Sequence, residues 1–274
     1  MRELLAAGPD FRLADVDPES TPGFGSGRSS GEKHRARGAD EIATLQELLF
    51  ANAKFGDARR VLLVLQAMDT AGKGGIVRHV VGAVNPLGVA IAAFAAPTED
   101  ERAHDFLWRV RQRLPKAGEL GVFDRSHYED VLIHRVRSLS PADEIEQRYG
   151  QIVDFERELA EEGTQIVKVM LHVSPEEQKV RLGERLDRVD KHWKFSPGDI
   201  AERLRWADYM EAYEIAIRRT STEQAPWYVV PANKKWYARL AVQELLLEAL
   251  RDLGQDWPEV EFDVDAERRR LAAS

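Results

Sequence analysis

Residues 61–75, VLLVLQAMDTAGKGG, join an apolar run to a glycine-rich turn that closes on Gly72-Lys73. A strand of Val61, Leu62, Leu63, Val64 and Leu65 feeding such a turn, with a helix behind it, points successive backbone N–H groups at one spot and so suits a polyphosphate. The spacing Ala67, four residues, Gly72, Lys73 follows the Walker A pattern except at its ends, where Ala67 stands for the first Gly and Gly74 for Ser or Thr. Gly74 offers no hydroxyl to a Mg²⁺ ion. Asp69, inside the loop, is the expected substitute, because a carboxylate that repels bare phosphate becomes favourable once a hard cation bridges the two. The competing reading is a plain helix start with a solvated Lys73 and Asp69 as its cap, so the surroundings have to decide.

A phosphate loop of this kind needs an acid at the tip of a neighbouring strand, and Asp124 after Gly121-Val122-Phe123 meets that need. Arg125 is placed to clamp a phosphate, and Glu129, a helical turn on, is expected to face the same cleft as a substrate contact. Residues 179–194, KVRLGERLDRVDKHWK, carry six Lys or Arg against three Asp or Glu, with Arg181, Arg185 and Arg188 on one helical face. Glu177 and Glu184 stand four residues before Arg181 and Arg188, as on any solvated helix. Arg185 has no acid at that spacing, which makes it the cation most available to a substrate.

The elements that must position these groups alternate along the chain. Ile42, Leu45 and Leu49 place a helix before the first strand, and a helix near Lys73 follows it. A strand near Val89–Phe94 comes next, then a helix after Pro97-Thr98 carrying Phe106, Leu107 and Trp108. A short strand at Val122-Phe123 precedes a helix over 128–137. Ile145, Tyr149, Ile152, Phe155 and Leu159 stripe another helix, Ile166–Val173 is a strand, and Trp227–Val230 is the last strand before a long helix with Leu246, Leu250 and Leu253. Strands separated by helices imply an α/β fold, a parallel sheet covered on both faces. The charged stretch 174–224 is too long for a simple crossover. It reads as a two-helix hairpin, over 175–189 and along Trp206, Met210, Tyr213 and Ile217, in the place where a phosphotransferase keeps a lid. Residues 20–31, STPGFGSGRSSG, read as an irregular arm.

With 274 residues, 43% of them hydrophobic and 31% charged, the chain can bury a substantial core. The absence of any Cys excludes disulfides and thiol catalysis and, with no secretory h-region, leads us to expect a cytoplasmic protein. No apolar run reaches membrane-spanning length, and a net charge of −8 argues against general nucleic-acid binding.

Taken together in order and spacing, AMDTAGKGG, GVFDRSHYEDV, KHWKFSPGD, YMEAYE and APWYVVPANKKWY, with STPG in the arm and PTEDERAHDFLWR in the middle, resemble the polyphosphate kinase 2 family over residues 15–255. The resemblance implies a P-loop kinase fold like that of thymidylate kinase, with a helical lid, and Mg²⁺-dependent phosphoryl transfer, Mn²⁺ being an alternative. It implies inorganic polyphosphate and adenine nucleotides as partners, guanine nucleotides second, in a homo-oligomer acting on both AMP and ADP. It carries metal binding onto Asp69 and Asp124, phosphate contacts onto Lys73 and Arg125 with Gly72 and Gly74 in the loop, and lid contacts near Arg181 and Arg185. The chain then divides into an extended arm 1–40, a phosphotransferase domain 41–255 with its lid about 174–224, and a charged tail 256–274. Two departures stand out: Ala67 for Gly, and Ala95 in Phe94-Ala95-Ala96-Pro97-Thr98 where relatives often carry Lys. An ATP-dependent nucleoside monophosphate kinase, or a P-loop protein that binds without turnover, are the rival readings.

Overall fold

The computed structural model describes all 274 residues. Strands β1 (Arg60–Gln66), β2 (Val89–Ala93), β3 (Leu120–Asp124), β4 (Thr164–His172) and β5 (Trp227–Pro231) form one sheet, in the order β2-β3-β1-β4-β5 and parallel throughout. The helices are α1 (Arg2–Leu5), α2 (Gly27–Ala53), α3 (Lys73–His79), α4 (Glu99–Arg102), α5 (Trp108–Arg111) and α6 (Ile133–Arg137). They continue with α7 (Ala142–Glu161), α8 (Pro175–Asp187), α9 (Pro197–Arg203), α10 (Trp206–Thr220), α11 (Lys235–Asp252) and α12 (Val264–Ala272). Val61 to Leu65 are buried on both faces, which is why this strand reads as an unbroken apolar run.

The chain leaves β1 toward β2 and leaves β3 toward β4, in opposite directions across the sheet. Right-handed crossovers therefore send α3 and α7 to opposite faces. Helices α2, α3 and α11 pack together on one side, α7 and α10 on the other. The adjacent tips of β1 and β3 form the switch point at which open parallel sheets bind ligands. Register sets Leu65 beside Asp124, so the glycine-rich loop and the second acid emerge side by side.

The expected extended arm over residues 1–40 is corrected. Helix α2 starts at Gly27, and its glycines are packing sites rather than linker residues. A Cβ added at Gly31 would lie 2.5 Å from the Trp236 ring, and one at Gly38 only 2.4 Å from Gln243 Nε2, both on α11. Upstream of α2, Leu5, Ala7 and Leu13 are buried. Ala7 N–H donates to the Trp227 carbonyl (2.8 Å), and Ala6 bridges Tyr228, so the N-terminal residues close the free edge of β5.

The two-helix lid over 174–224 is corrected too. The stretch holds α8, a 3₁₀ turn over Val189–Lys194, α9 and α10. Helix α10 buries Tyr209, Ala212, Tyr213, Ala216 and Ile217 in the main core, so it belongs to the body of the fold, and of this stretch only α8 and the 3₁₀ turn border the cleft. Two expected helices are also broken up. The residues after Pro97 make only the short α4 and α5, the first capped reciprocally by Thr98 and Glu101, and 128–137 starts as a 3₁₀ turn before α6.

Candidate active site

The loop between β1 and α3 is held in strained geometry from outside. Thr70 and Gly72 both take positive φ, 66° and 126°, a region that suits Gly72 and disfavours a β-branched Thr. What over-determines the turn is Arg181 on α8, which is only 3% exposed. Its guanidinium donates to the carbonyls of Thr70 (3.1 Å), Ala71 (2.9 Å), Ala232 (2.7 Å) and Asn233 (2.8 Å), and to Glu177 Oε1 (2.7 Å). Gln178 Nε2 adds a bond to the Asp69 carbonyl at 3.2 Å. The family resemblance implies Arg181 as a substrate contact; its donors are instead committed to the backbone, because a fork of N–H groups can tie the loop to the β5–α11 turn. The Glu177 pair read from i,i+4 spacing is present.

Lys73 Nζ donates to the Ala67 carbonyl (3.2 Å), so its side chain arches back over the loop it closes. A Cβ at Gly74 would meet nothing within 4 Å, so the missing hydroxyl is not a matter of space. Across the switch point, Arg125 also has positive φ, 64°. Its N–H donates to the Leu65 carbonyl (3.1 Å) and its guanidinium to Asp69 Oδ1 (3.1 Å). Burial pulls this guanidinium's pKa down, but the charges of Glu129 and Asp69 more than offset it. Glu129 lies half-buried beside these groups and does not line the cleft; with the Gln66 amide turned to satisfy its neighbours, it accepts from Gln66 at 3.0 Å. Burial pushes the Glu129 carboxyl above its ordinary range, against the pull of Arg125 and Lys73. Its place is thus behind Arg125, where the sequence reading expected it at the substrate.

The Asp124-Arg125 turn rests on a buried polar network that spacing does not reveal. Tyr128 Oη donates to Glu156 Oε1 (2.8 Å), and Lys168 Nζ in the middle of β4 donates to Glu156 Oε2 (2.6 Å), Tyr128 Oη (3.0 Å) and the Thr220 carbonyl (2.7 Å). Burial lowers the Lys168 pKa despite Glu156. The one signal in the sequence is a lone Lys inside the apolar run IVKVML.

Asp69, Lys73, Gly72, Gly74, Asp124, Arg125, Arg181 and Arg185 all border one cleft of about 620 Å³. Nine Lys or Arg line it against three Asp or Glu, in a chain whose net charge is −8. Two of these cations lie outside the sequence-picked motifs and lid, Arg78 on α3 and Arg239 on α11; Lys235 at the start of α11 and Lys194 at the end of the 3₁₀ turn lie within them but were not singled out. Burial, and then the neighbouring Arg35, lower the Arg239 pKa, as in a cluster of like charges short of counter-ions. The signal for Lys235 and Arg239 was their place at the start of the helix after β5.

Arg185 is not unpaired. It donates to Asp199 Oδ2 (3.1 Å) and to the Lys194 carbonyl (3.0 Å), partners 14 and 9 residues away that helical spacing does not reach. Burial, and next the charge of Asp69, push the Asp199 carboxyl up. Arg188 pairs with Asp190 (2.8 Å), whereas Glu184 faces Lys235 at 3.6 Å. On the other flank, Arg137 of α6 bonds Glu202 of α9 and Arg205 donates to the Val136 carbonyl (2.8 Å), which ties α9 and the turn after it to α6.

Asp69 and Asp124 border the cleft together. No group of three or more His, Asp or Glu is arranged to cage a metal. Two carboxylates beside a phosphate-binding loop fit a Mg²⁺-type cation, which takes one or two carboxylates and completes its shell with phosphate and water oxygens.

Comparison with known proteins gives a consistent picture. Residues 27–256 match the family described as polyphosphate kinase 2. The AMP/ADP-polyphosphate phosphotransferase of Meiothermus ruber is 49% identical over 251 residues, covering 92% of each chain. The ADP-polyphosphate phosphotransferase of Rhodopseudomonas palustris is 42% identical over 232 residues, 80% of this chain and 79% of its own. A crystal structure of polyphosphate kinase 2 from Arthrobacter aurescens superposes with a TM-score of 0.97 at 60% identity, covering 99% of this chain and 96% of that one.

Proposed function

Since this chain belongs to the polyphosphate kinase 2 family, we propose that it transfers phosphoryl groups between inorganic polyphosphate and both AMP and ADP, reversibly and with Mg²⁺. The observation that carries the reading is the cleft itself: a strongly cationic trough built around a glycine-rich loop on an acidic protein. A site with that imbalance is matched to a polyanion longer than a single nucleotide's phosphates.

In this reading Asp69 and Asp124 hold the Mg²⁺, which when bound neutralises charge on phosphate oxygens. Lys73 and the loop N–H groups orient the phosphoryl being transferred, and Arg125 meets charge that develops on it. Glu129 and Asp69 hold Arg125 in place; Arg181 holds the loop. The segment 187–205 closes over the reacting groups and excludes water. The same reading takes guanine nucleotides as second acceptors and a cytoplasmic homo-oligomer as the working form; no helix is long and apolar enough to cross a membrane.

The test is direct. The purified protein is incubated with Mg²⁺ and polyphosphate plus AMP or ADP, and separately with ATP as donor to AMP. ADP and then ATP should accumulate from AMP without ATP being added. Use of ADP without AMP refutes the double specificity, and an obligatory requirement for ATP refutes polyphosphate as donor.

A further inference from the structure

The two free edges of the sheet are treated differently. The N-terminal residues cover β5, whereas β2 at residues 89–93 has from outside the sheet only the local bond of Val89 N–H to the Pro86 carbonyl at its start. That edge is apolar, VAIAA, with Ile91 56% exposed and Leu87 at its start 76% exposed. An open edge without charges, prolines or a bulge is a surface that proteins normally cover.

The same chain carries an arm with the opposite problem. After Gly254 the backbone runs without regular structure to Asp263 and then forms α12, none of whose residues is buried. Trp257, Val260, Phe262 and Leu271 are all exposed, alternating with Glu259, Glu261 and Asp263. A nine-residue helix that buries nothing is far short of the ~12–15 residues at which an isolated helix becomes even marginal in water. The superposition with the Arthrobacter aurescens crystal structure takes in 99% of this chain and so extends into this arm.

Arm and edge start from neighbouring places. Asn52 Nδ2 donates to the Asp256 carbonyl (3.0 Å) and fixes the root of the arm at the end of α2. On the same end of α2, Gln46 Nε2 donates to the Gly88 carbonyl (3.1 Å) at the start of β2, and Phe55 lies 56% exposed just beyond. A two-fold axis at this flank lets each copy present both an arm and an edge, the self-complementary arrangement a closed dimer requires. We propose that residues 257–264 of one copy cover the β2 edge of a second copy, with Trp257, Val260 and Phe262 against Leu87 and Ile91.

The absence of native Cys makes the test clean. Ile91→Cys protein is mixed with Phe262→Cys protein under mild oxidation, with Leu87→Cys against Trp257→Cys or Val260→Cys as further pairs to allow for register. At least one mixture should give a disulfide joining the two different chains, and a variant ending at Gln255 should lose at least half the wild-type mass in sedimentation. A monomeric wild type, an unchanged mass without the arm, or no bond between the two different chains from any pair would each overturn the proposal.

Discussion

Replacing Arg181 separates a loop-holding role from a phosphate-binding one. Arg181→Met keeps length and removes five hydrogen bonds, four of them to backbone carbonyls that lie around the loop and the β5–α11 turn. Bonds from a charged donor are worth about 1.5–3 kcal/mol each, but they share one guanidinium and do not add. The loss expected is that of breaking a buried ionic cluster, about 3–5 kcal/mol. At about 2–4 °C per kcal/mol for a chain of this size, the Tm of the ligand-free protein should fall by roughly 6 to 20 °C. Below that transition, kcat should drop about 100-fold, because a loop displaced by about 1 Å misplaces its N–H groups, while the KM for polyphosphate changes little. Arg181→Lys keeps the charge without the fork and should recover only part of both. The assays are ligand-free calorimetry and initial rates across a polyphosphate titration. A Tm within about 1 °C of wild type, together with a tenfold rise in KM, would refute the loop-holding argument and return Arg181 to the substrate.

Lys73→Ala and Asp124→Asn should each cut kcat at least 100-fold with the Tm nearly unchanged, since each removes charge stabilisation of about 3–4 kcal/mol from the reacting phosphoryl; near-normal rates would take the loop out of the mechanism. Arg239→Ala should raise the KM for polyphosphate and flatten its dependence on salt, whereas Arg188→Ala, paired with Asp190 and outside the cleft, should do neither; equal effects would show that the cationic track follows α8 rather than α11. Asp69→Asn should raise the Mg²⁺ needed for half-maximal rate, and a titration matching wild type would place the metal elsewhere. His172 is pulled by burial from 6.5 to about 4, with Nδ1 unpartnered, so its neutral form is the folded one. Its contribution, up to about 3 kcal/mol, is present above pH 6.5 and is lost as pH falls toward 4; His172→Gln should remove that slope from urea midpoints measured between pH 4 and 7.

The parts of this protein legible in its sequence are those in which a local pattern has one physical solution. An apolar pentad followed by Gly72-Lys73 reads as a buried strand running into a glycine-rich turn and a helix, and Asp124 at a strand tip follows from the same geometry. What stayed hidden depends on contacts between distant segments. Gly31 and Gly38 look like linker residues because nothing local says that Trp236 and Gln243 cross α2 there. Arg185 looks free because Asp199 lies beyond the reach of helical spacing, and Arg181 looks like a ligand because nothing local says that four carbonyls converge on it.

That pattern of failure bears on how the cleft works. Spacing on α8 counts charges along one helix, whereas the cleft gathers cations from α3, α8, α11 and the 3₁₀ turn onto one surface. The two arginines on α8 picked from the sequence, Arg185 by helical spacing and Arg181 by the family resemblance, are the ones the fold uses up, Arg181 on the loop and Arg185 on the lid. Of the arginines lining the cleft, the two without an acidic partner, Arg78 and Arg239, sit on the opposite wall, around the helix that the loop opens, and the lid side adds the unpaired Lys191 and Lys194. A polyanion drawn to this surface is therefore anchored on the rigid α3–α11 side and met by the lid from the other. Salt and Arg239→Ala should then act on how tightly polyphosphate binds, while changes at Arg181 or Arg185 act on how fast the bound phosphate reacts. A variant set in which the α8 arginines control KM and Arg239 controls kcat would reverse that division and with it the account of which wall holds the substrate.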